Sequence, residues 1–267
     1  MKKYMALFRI RFINSLQYRT AALAGLCTQF AWGFMEISVF SAFYNTNPHA
    51  FPMEFSQVAS YIWLQQALLF IFFILLNDSD IVASIIDGSI AYELVRPMNL
   101  YNRWACQITA SRLAGALLRA FPVLIVASLL PYPYGLSLPP DALQFLWFLI
   151  SAILGVILTV VFTVFCYTLL FHTLSIQGIR IMIFGFVSFL SGQVVPLPFF
   201  PEPLLSMVLL LPFASMQDLP LRIYSGHIAG QEVFYRIGVQ FLWVLIMLVA
   251  GRLIIRSALK KVVIQGG

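Results

Sequence analysis

Apolar positions along the chain gather into six long runs, near residues 21–44, 58–76, 108–130, 143–171, 179–195 and 234–255. About 20 mostly apolar residues cross a hydrocarbon core roughly 30 Å thick. Lipid offers no partners to backbone N–H and C=O groups, so such runs must be helical. The pattern predicts an all-α integral membrane protein with six transmembrane helices, the fifth being the shortest.

The stretches between the runs have patterns of their own. In residues 1–19, Met5, Leu7, Phe8, Ile10, Phe12, Ile13 and Leu16 recur at near-helical spacing with basic residues between them. This predicts an amphipathic helix lying in the membrane interface. Two readings fit it equally: an anchor for the first span, or a helix that also touches a cytosolic partner. After the second run, Ile81, Val82, Ile85 and Ile86 form one helical stripe behind Asp78 and Asp80, whose carboxylates favour a helix N-terminus. Gly88 is placed to end or bend that helix, and Arg96-Pro97 then turns the chain towards the third run. Glu93 and Arg96 stand three apart, within pairing distance on a helix. Between the fifth and sixth runs, residues 196–232 hold six prolines around the wholly apolar 204–211. Proline blocks continuous helix, and that apolar piece is too short to cross. A re-entrant or broken helical hairpin entering from the outer face is predicted, with a plain outer loop carrying an apolar helix as the alternative.

Composition agrees with the pattern. Of 267 residues, 61% are hydrophobic and 10% charged, against nearly half apolar and about a quarter charged in soluble domains. No polar stretch approaches the roughly 50 residues of a small soluble domain. The whole of 1–267 reads as a single transmembrane domain, with 78–103 as a cytosolic segment. Cys27, Cys106 and Cys166 show no CxxC spacing and read as small apolar residues. Arginines interrupt the N-terminal apolar positions, so that stretch is not read as a signal peptide.

Charge gives orientation. Fourteen of the sixteen Lys and Arg residues fall on one side: Lys2, Lys3, Arg9, Arg11, Arg19, Arg96, Arg103, Arg112, Arg119, Arg180, Arg252, Arg256, Lys260 and Lys261. Only Arg222 and Arg236 fall on the other. The positive-inside bias places both termini and the 78–103 segment in the cytoplasm, in a cell inner (plasma) membrane. It also accounts for the net charge of +6 without nucleic acid. Three ionisable residues fall inside apolar runs, where charge is expensive. Glu36 either lines a pathway, pairs with a partner permease, or reaches the outer interface. Arg112 reads as part of a cytosolic extension of the third helix or as a snorkelling side chain, and Arg119 stays open between that and a pathway role.

The chain has no GxxxxGK[ST] phosphate loop, no GxSxG and no HExxH, and His49, His172 and His227 are widely separated. It reads as a non-enzyme with no cofactor or metal site of its own.

The ordered set Gly88, Leu94, Arg96, Pro97, with Val95 at the variable position, resembles the Gly-(x)n-Leu-x-Arg-Pro pattern of the membrane subunits of ABC exporters of the type-2 (ABC-2) permease class. Ser191, Gly192, Pro196, Phe200 and Pro201 resemble that class's segment after span five. The likeness covers essentially the whole chain, including the interfacial helix and the broken hairpin. It implies a permease coupled through a short cytosolic helix to a separate ATPase, present in two copies and supplying ATP and Mg. It also implies a second permease, identical or related, and an amphipathic cargo. On this resemblance Asp87, Gly88, Tyr92, Glu93, Leu94, Arg96 and Pro97 form the ATPase-coupling interface, while Glu36, Arg119, Ser191 and Gln193 are candidates for the pathway or the intersubunit contact. A secondary transporter would instead show inverted repeats and intramembrane carboxylates; no repeat is visible and Glu36 alone qualifies. A membrane scaffold or enzyme would need a polar active-site cluster, and none is seen.

Overall fold

A computed structural model describes residues 2–47, 51–74, 76–173 and 176–260, and it is all-helical, with no strand among the described residues. His49 and Lys261 lie outside them, as does the side chain of His172. In chain order the helices are α1 (Lys2–Leu16), α2 (Arg19–Thr46), α3 (Phe55–Ala67), α4 (Leu69–Phe72), α5 (Ser79–Ile86), α6 (Ile90–Leu94), α7 (Leu100–Leu129), α8 (Ala142–Thr173), α9 (Ile176–Leu190), α10 (Glu202–Leu209), α11 (Asp218–Tyr224) and α12 (Gln231–Leu259). A 3₁₀ turn at Leu197–Phe199 precedes α10.

Among the described residues four helices, α2, α7, α8 and α12, are long and apolar enough to cross a membrane. They differ in role. Over its most apolar window α8 is 56% buried, whereas α2 and α12 are each 17% buried. Helix α8 is therefore the pillar on which the others pack, with α12, α11, α7, α5 and α4 against it. The exposed apolar faces of α2 and α12 suit lipid contact. Apolar burial gives little drive between helices already in lipid, so packing and interhelical hydrogen bonds matter more. Gln240 of α12 illustrates this: its side-chain amide donates to the carbonyls of Ser151 (2.9 Å) and Ser215 (2.8 Å), and Ser151 Oγ donates back to its Oε1 (3.0 Å).

The second apolar run is not one helix, contrary to its continuous pattern. Helix α3 starts on a capping box between Glu54 and Gln57 and gives way at Leu68, and α4 stops at Phe72. Phe73 has already turned to extended backbone. The carbonyls this break frees are met by side chains from other helices. Arg112 Nη1 of α7 donates to Ile71 O and Phe73 O, both at 2.7 Å, and Arg180 of α9 donates to Leu76 O through Nε (3.0 Å) and Nη2 (2.6 Å). The amide of Asp78 donates to the Tyr167 hydroxyl of α8 at 3.0 Å. Three helices thus hold the backbone groups of Ile71, Phe73, Leu76 and Asp78, where hydropathy alone reads a helix continuing to residue 76.

Arg112 accordingly corrects its expected place. It is buried, and its Nη2 also donates to Thr163 Oγ1 of α8 at 3.0 Å; it clamps the break and does not snorkel. Helix α7 opens at Leu100, capped by Asn99 accepting from the Asn102 amide, and so extends eight residues ahead of its apolar run. Helix α9 ends at Leu190, short of the predicted 195.

Residues 196–232 form two short helices joined through 210–217, with α11 buried along its whole length against α8 and α3. One face of α1 (Tyr4, Phe8, Phe12, Ser15) packs on α7, while Met5, Ile10 and Ile13 stay exposed.

Candidate coupling surface

Residues 78–103 form a rigid projection at the end of the bundle where α7 begins. Asp78 caps α5, its Oδ1 accepting from the amides of Asp80 and Ile81, both at 3.2 Å. Burial pushes the Asp78 carboxyl above the usual carboxylate range, against the opposing pull of Arg11. Ile81, Ser84 and Ile85 of α5 are buried, joining a core with Trp104 of α7 and Tyr167 and Leu170 of α8. This corrects the predicted stripe: Ile86 is exposed and Ser84 takes an inward place.

Asp87 caps the end of α5, and Gly88 reverses the chain at φ +70°, a left-handed conformation that favours glycine. Helix α6 follows, anchored by buried Ile90. The anchoring ion pair is Glu93 with Arg103, at 2.6 Å and with both side chains largely buried. Arg96, the partner expected from spacing, is exposed and belongs to no ion pair among the described residues. The helix ends before it, and the turn towards Pro97 carries its side chain away.

Helix α1 fastens the other side. Lys3 Nζ donates to Pro97 O, the Asn99 amide donates to the Tyr4 hydroxyl at 3.2 Å, and Arg11 pairs with Asp80. Cys106 Sγ donates to Tyr4 O at 3.4 Å. Neither Arg103 nor these α1 contacts were singled out from sequence. Their signal, unpaired basic residues flanking the acidic ones of 78–93, is visible only once the helices are placed.

The projection exposes several large apolar side chains among its charged ones. Tyr92 is 78% exposed, Val95 86%, Ile86 45% and Leu94 40%, with Arg96, Pro97 and Asp87 exposed beside them. These exposed apolar residues stand on an element held by ion pairs and a buried core, with Leu94 also lining a cavity against Arg252, Ile255 and Leu259 of α12. The arrangement therefore brings the predicted coupling residues together, except that Glu93 faces inward as an anchor.

The other predicted residues lie elsewhere. Glu36 of α2 is half-buried beside Gln66 of α3. Arg119 of α7 donates to Ala21 O of α2 at 3.3 Å and lies 4.7 Å from the Phe70 ring centre. Ser191 is buried, and Gln193 gives its carbonyl to Gln65 Nε2 of α3 at 2.7 Å.

Around Ser191 and Gln193 the opposite end of the bundle carries a buried polar network. The Tyr61 hydroxyl lies 2.9 Å from Gly192 O and 3.1 Å from Asp218 Oδ1, which also accepts from the Leu197 amide at 3.2 Å. Arg222 pairs with Asp218 at 3.2 Å and meets His227 Nδ1, whose ring reaches Pro52 O through Nε2 at 3.2 Å. With arginine as donor to Nδ1, the proton of the neutral ring sits on Nε2. Burial, then Arg222, lowers the affinity of His227 for a second proton. The Asp218–Arg222 pair had a signal in its four-residue spacing.

Comparison with known proteins adds one family match. The family described as ABC-2 family transporter protein matches residues 30–266. No curated protein and no solved structure matches the chain significantly. The match takes in α3 to α12, the last 17 of the 28 residues of α2 and the whole projection. This multi-pass helical chain belongs to the ABC-2 family of transporter proteins, as a membrane permease whose family partner is an ABC ATPase.

Proposed function

We propose that the chain is one permease half of an ATP-driven exporter, with α5–α6 as the element through which a cytosolic ATPase drives it. The observation that carries this reading is the exposure of Ile86, Tyr92, Leu94 and Val95 on a projection braced by Glu93–Arg103, Arg11–Asp80 and the α8 core. A rigid knob with an apolar tip suits a groove on a moving partner. Its brace runs through α7 and through the clamped backbone of Phe73, Leu76 and Asp78, so displacement of the knob reaches the membrane helices as a rigid-body motion.

In this reading six crossings are made by α2, by the broken α3–α4 pair, and by α7, α8, α9 and α12. From Phe55 to Phe72 is about 27 Å of helix at 1.5 Å per residue. The fifteen residues of α9 give about 22 Å, with the Pro-rich turn continuing the path. Both termini and the projection face the cytoplasm by the positive-inside bias. The α10–α11 hairpin sits at the outer end as a re-entrant element whose irregular backbone is tolerated because protein surrounds it. The ATPase, in two copies, binds the ATP and Mg that drive the cycle. A second permease, identical or related, completes the path for an amphipathic cargo, and Glu36, Arg119, Ser191 and Gln193 keep their candidate roles there.

Purification of the tagged full chain from its own membranes tests the reading. It should bring down a separate chain carrying a GxxxxGK[ST] motif. Isolation as a complete transporter without such a chain would refute it.

A further inference from the structure

A cavity of about 390 Å³ opens between α4, α7 and α8, and both Arg112 and Arg119 line it. The two arginines are seven residues apart, so they lie on one face of α7, about 10 Å apart along its axis. Arg112 meets only neutral acceptors: the carbonyls of Ile71 and Phe73 and the hydroxyl of Thr163. Arg119 has the Ala21 carbonyl and the Phe70 ring, and its buried Nε has no partner. Among the described residues every ion pair uses other arginines. Cations within apolar surroundings and without counter-charge are costly, and they mark pathways or ligands.

The remaining wall divides by chemistry. Leu69, Phe70, Phe73 and Ile108 make an apolar side. Asp78 lies at the α5 end of the cavity, but its Oδ1 already accepts from the first amides of its own helix. The depth is also informative. Ala21 and Gly25 are the third and seventh residues of α2, so the Arg119 guanidinium packs against the first two turns of a membrane-crossing helix. Side chains on a helix tilt towards its N-terminus, which directs Arg119 back towards Arg112.

We propose that this cavity binds an anionic amphiphile from the surrounding leaflet. Its phosphate or carboxylate headgroup lies between Arg112 and Arg119, and its hydrocarbon tail lies along Phe70 and Phe73. The site supplies the counter-charge that the chain lacks and fills an apolar wall that a small anion leaves bare. It requires only that the chain is embedded in a membrane, and it stands apart from ATPase coupling and from the identity of the cargo.

The test uses the full chain in neutral detergent micelles, with dioleoylphosphatidylglycerol, dioleoylphosphatidylcholine or inorganic phosphate as probes, read by native mass spectrometry and thermal denaturation. Phosphatidylglycerol should be retained one per chain and raise the melting temperature beyond phosphatidylcholine, and phosphate alone should do neither. Arg119→Gln should weaken phosphatidylglycerol binding about tenfold, the scale of one lost charged contact. Arg119→Lys, which keeps the charge, should hold most of the selectivity. Equal retention of the two lipids by the wild type overturns the proposal, as does displacement of phosphatidylglycerol by inorganic phosphate. Wild-type behaviour of Arg119→Gln overturns it as well. Should that variant not fold, the wild-type comparison and Arg119→Lys decide alone.

Discussion

Replacing Glu93 with Gln removes one half of the ion pair that holds α6 to α7. Arg103 is left with a buried guanidinium and no carboxylate; its Nη1 already lacks a partner. Breaking a fully buried pair by removing one member costs about 3–5 kcal/mol. The Glu93 side chain is 17% exposed, so water screens part of this, and about 2 kcal/mol is a fair lower figure. That shifts the balance between docked and detached α6 about thirtyfold, at 1.36 kcal/mol per factor of ten. The loss is local, because α8 and α12 keep their contacts. Hydrogen exchange of the full chain in lipid nanodiscs reads it directly. Amides in 87–99 should exchange about thirtyfold faster in Glu93→Gln, with α8 unchanged, and Arg96→Gln should exchange like the wild type. Unchanged exchange in Glu93→Gln, or equal acceleration in Arg96→Gln, would refute the anchor and restore the pairing expected from spacing.

Three further outcomes follow from the opposite end and the core. Gln240→Leu strands the carbonyls of Ser215 and Ser151, so thermal denaturation should show a loss of about 1–3 kcal/mol. Gly192→Ala places a methyl group 2.6 Å from the Tyr61 hydroxyl at φ +78°; the strained conformation alone costs about 1–3 kcal/mol, and the melting temperature should fall by at least that equivalent. His227 takes up its second proton less readily when folded than when unfolded. It therefore favours the folded state less as pH falls below the ordinary histidine value of about 6.5, levelling off beneath its own lowered value. Melting temperatures from pH 7.5 to 5 should fall more steeply for the wild type than for His227→Gln; parallel curves would contradict the assignment.

The long apolar runs made α2, α7, α8 and α12 legible from sequence, because a membrane crossing of helix depends mainly on hydropathy. The 196–232 proline pattern marked the short α10 and α11 for the same local reason. What pattern could not show was where backbone carbonyls find partners. The break after Phe72 depends on Arg112, some forty residues on, and on Arg180, more than a hundred on. Hydropathy sees only an apolar run there and reads a helix. The 78–103 segment was recognisable as a polar stretch between apolar runs, and Gly88 as its bend. Its inward face was misassigned because the stripe rule treats Ser84 as polar, although Ser84 Oγ satisfies itself on Ile81 O at 2.7 Å. Ile86 is left outside, which adds to the apolar tip. The contacts of α1 with Asp80 and Pro97 lie within its own chain, and they decide between neither of its two sequence readings.

The central claim is that the α5–α6 tip meets the ATPase. A photo-reactive benzoylphenylalanine placed at Tyr92 or at Val95, in membranes from the native host, tests it most directly, with the exposed Val194 at the opposite end as control. Irradiation should join the Tyr92 and Val95 variants to a chain bearing a GxxxxGK[ST] motif, and leave the Val194 variant without that adduct. Absence of the adduct at both tip positions in a complex that still co-purifies, or its appearance at Val194, would contradict the claim.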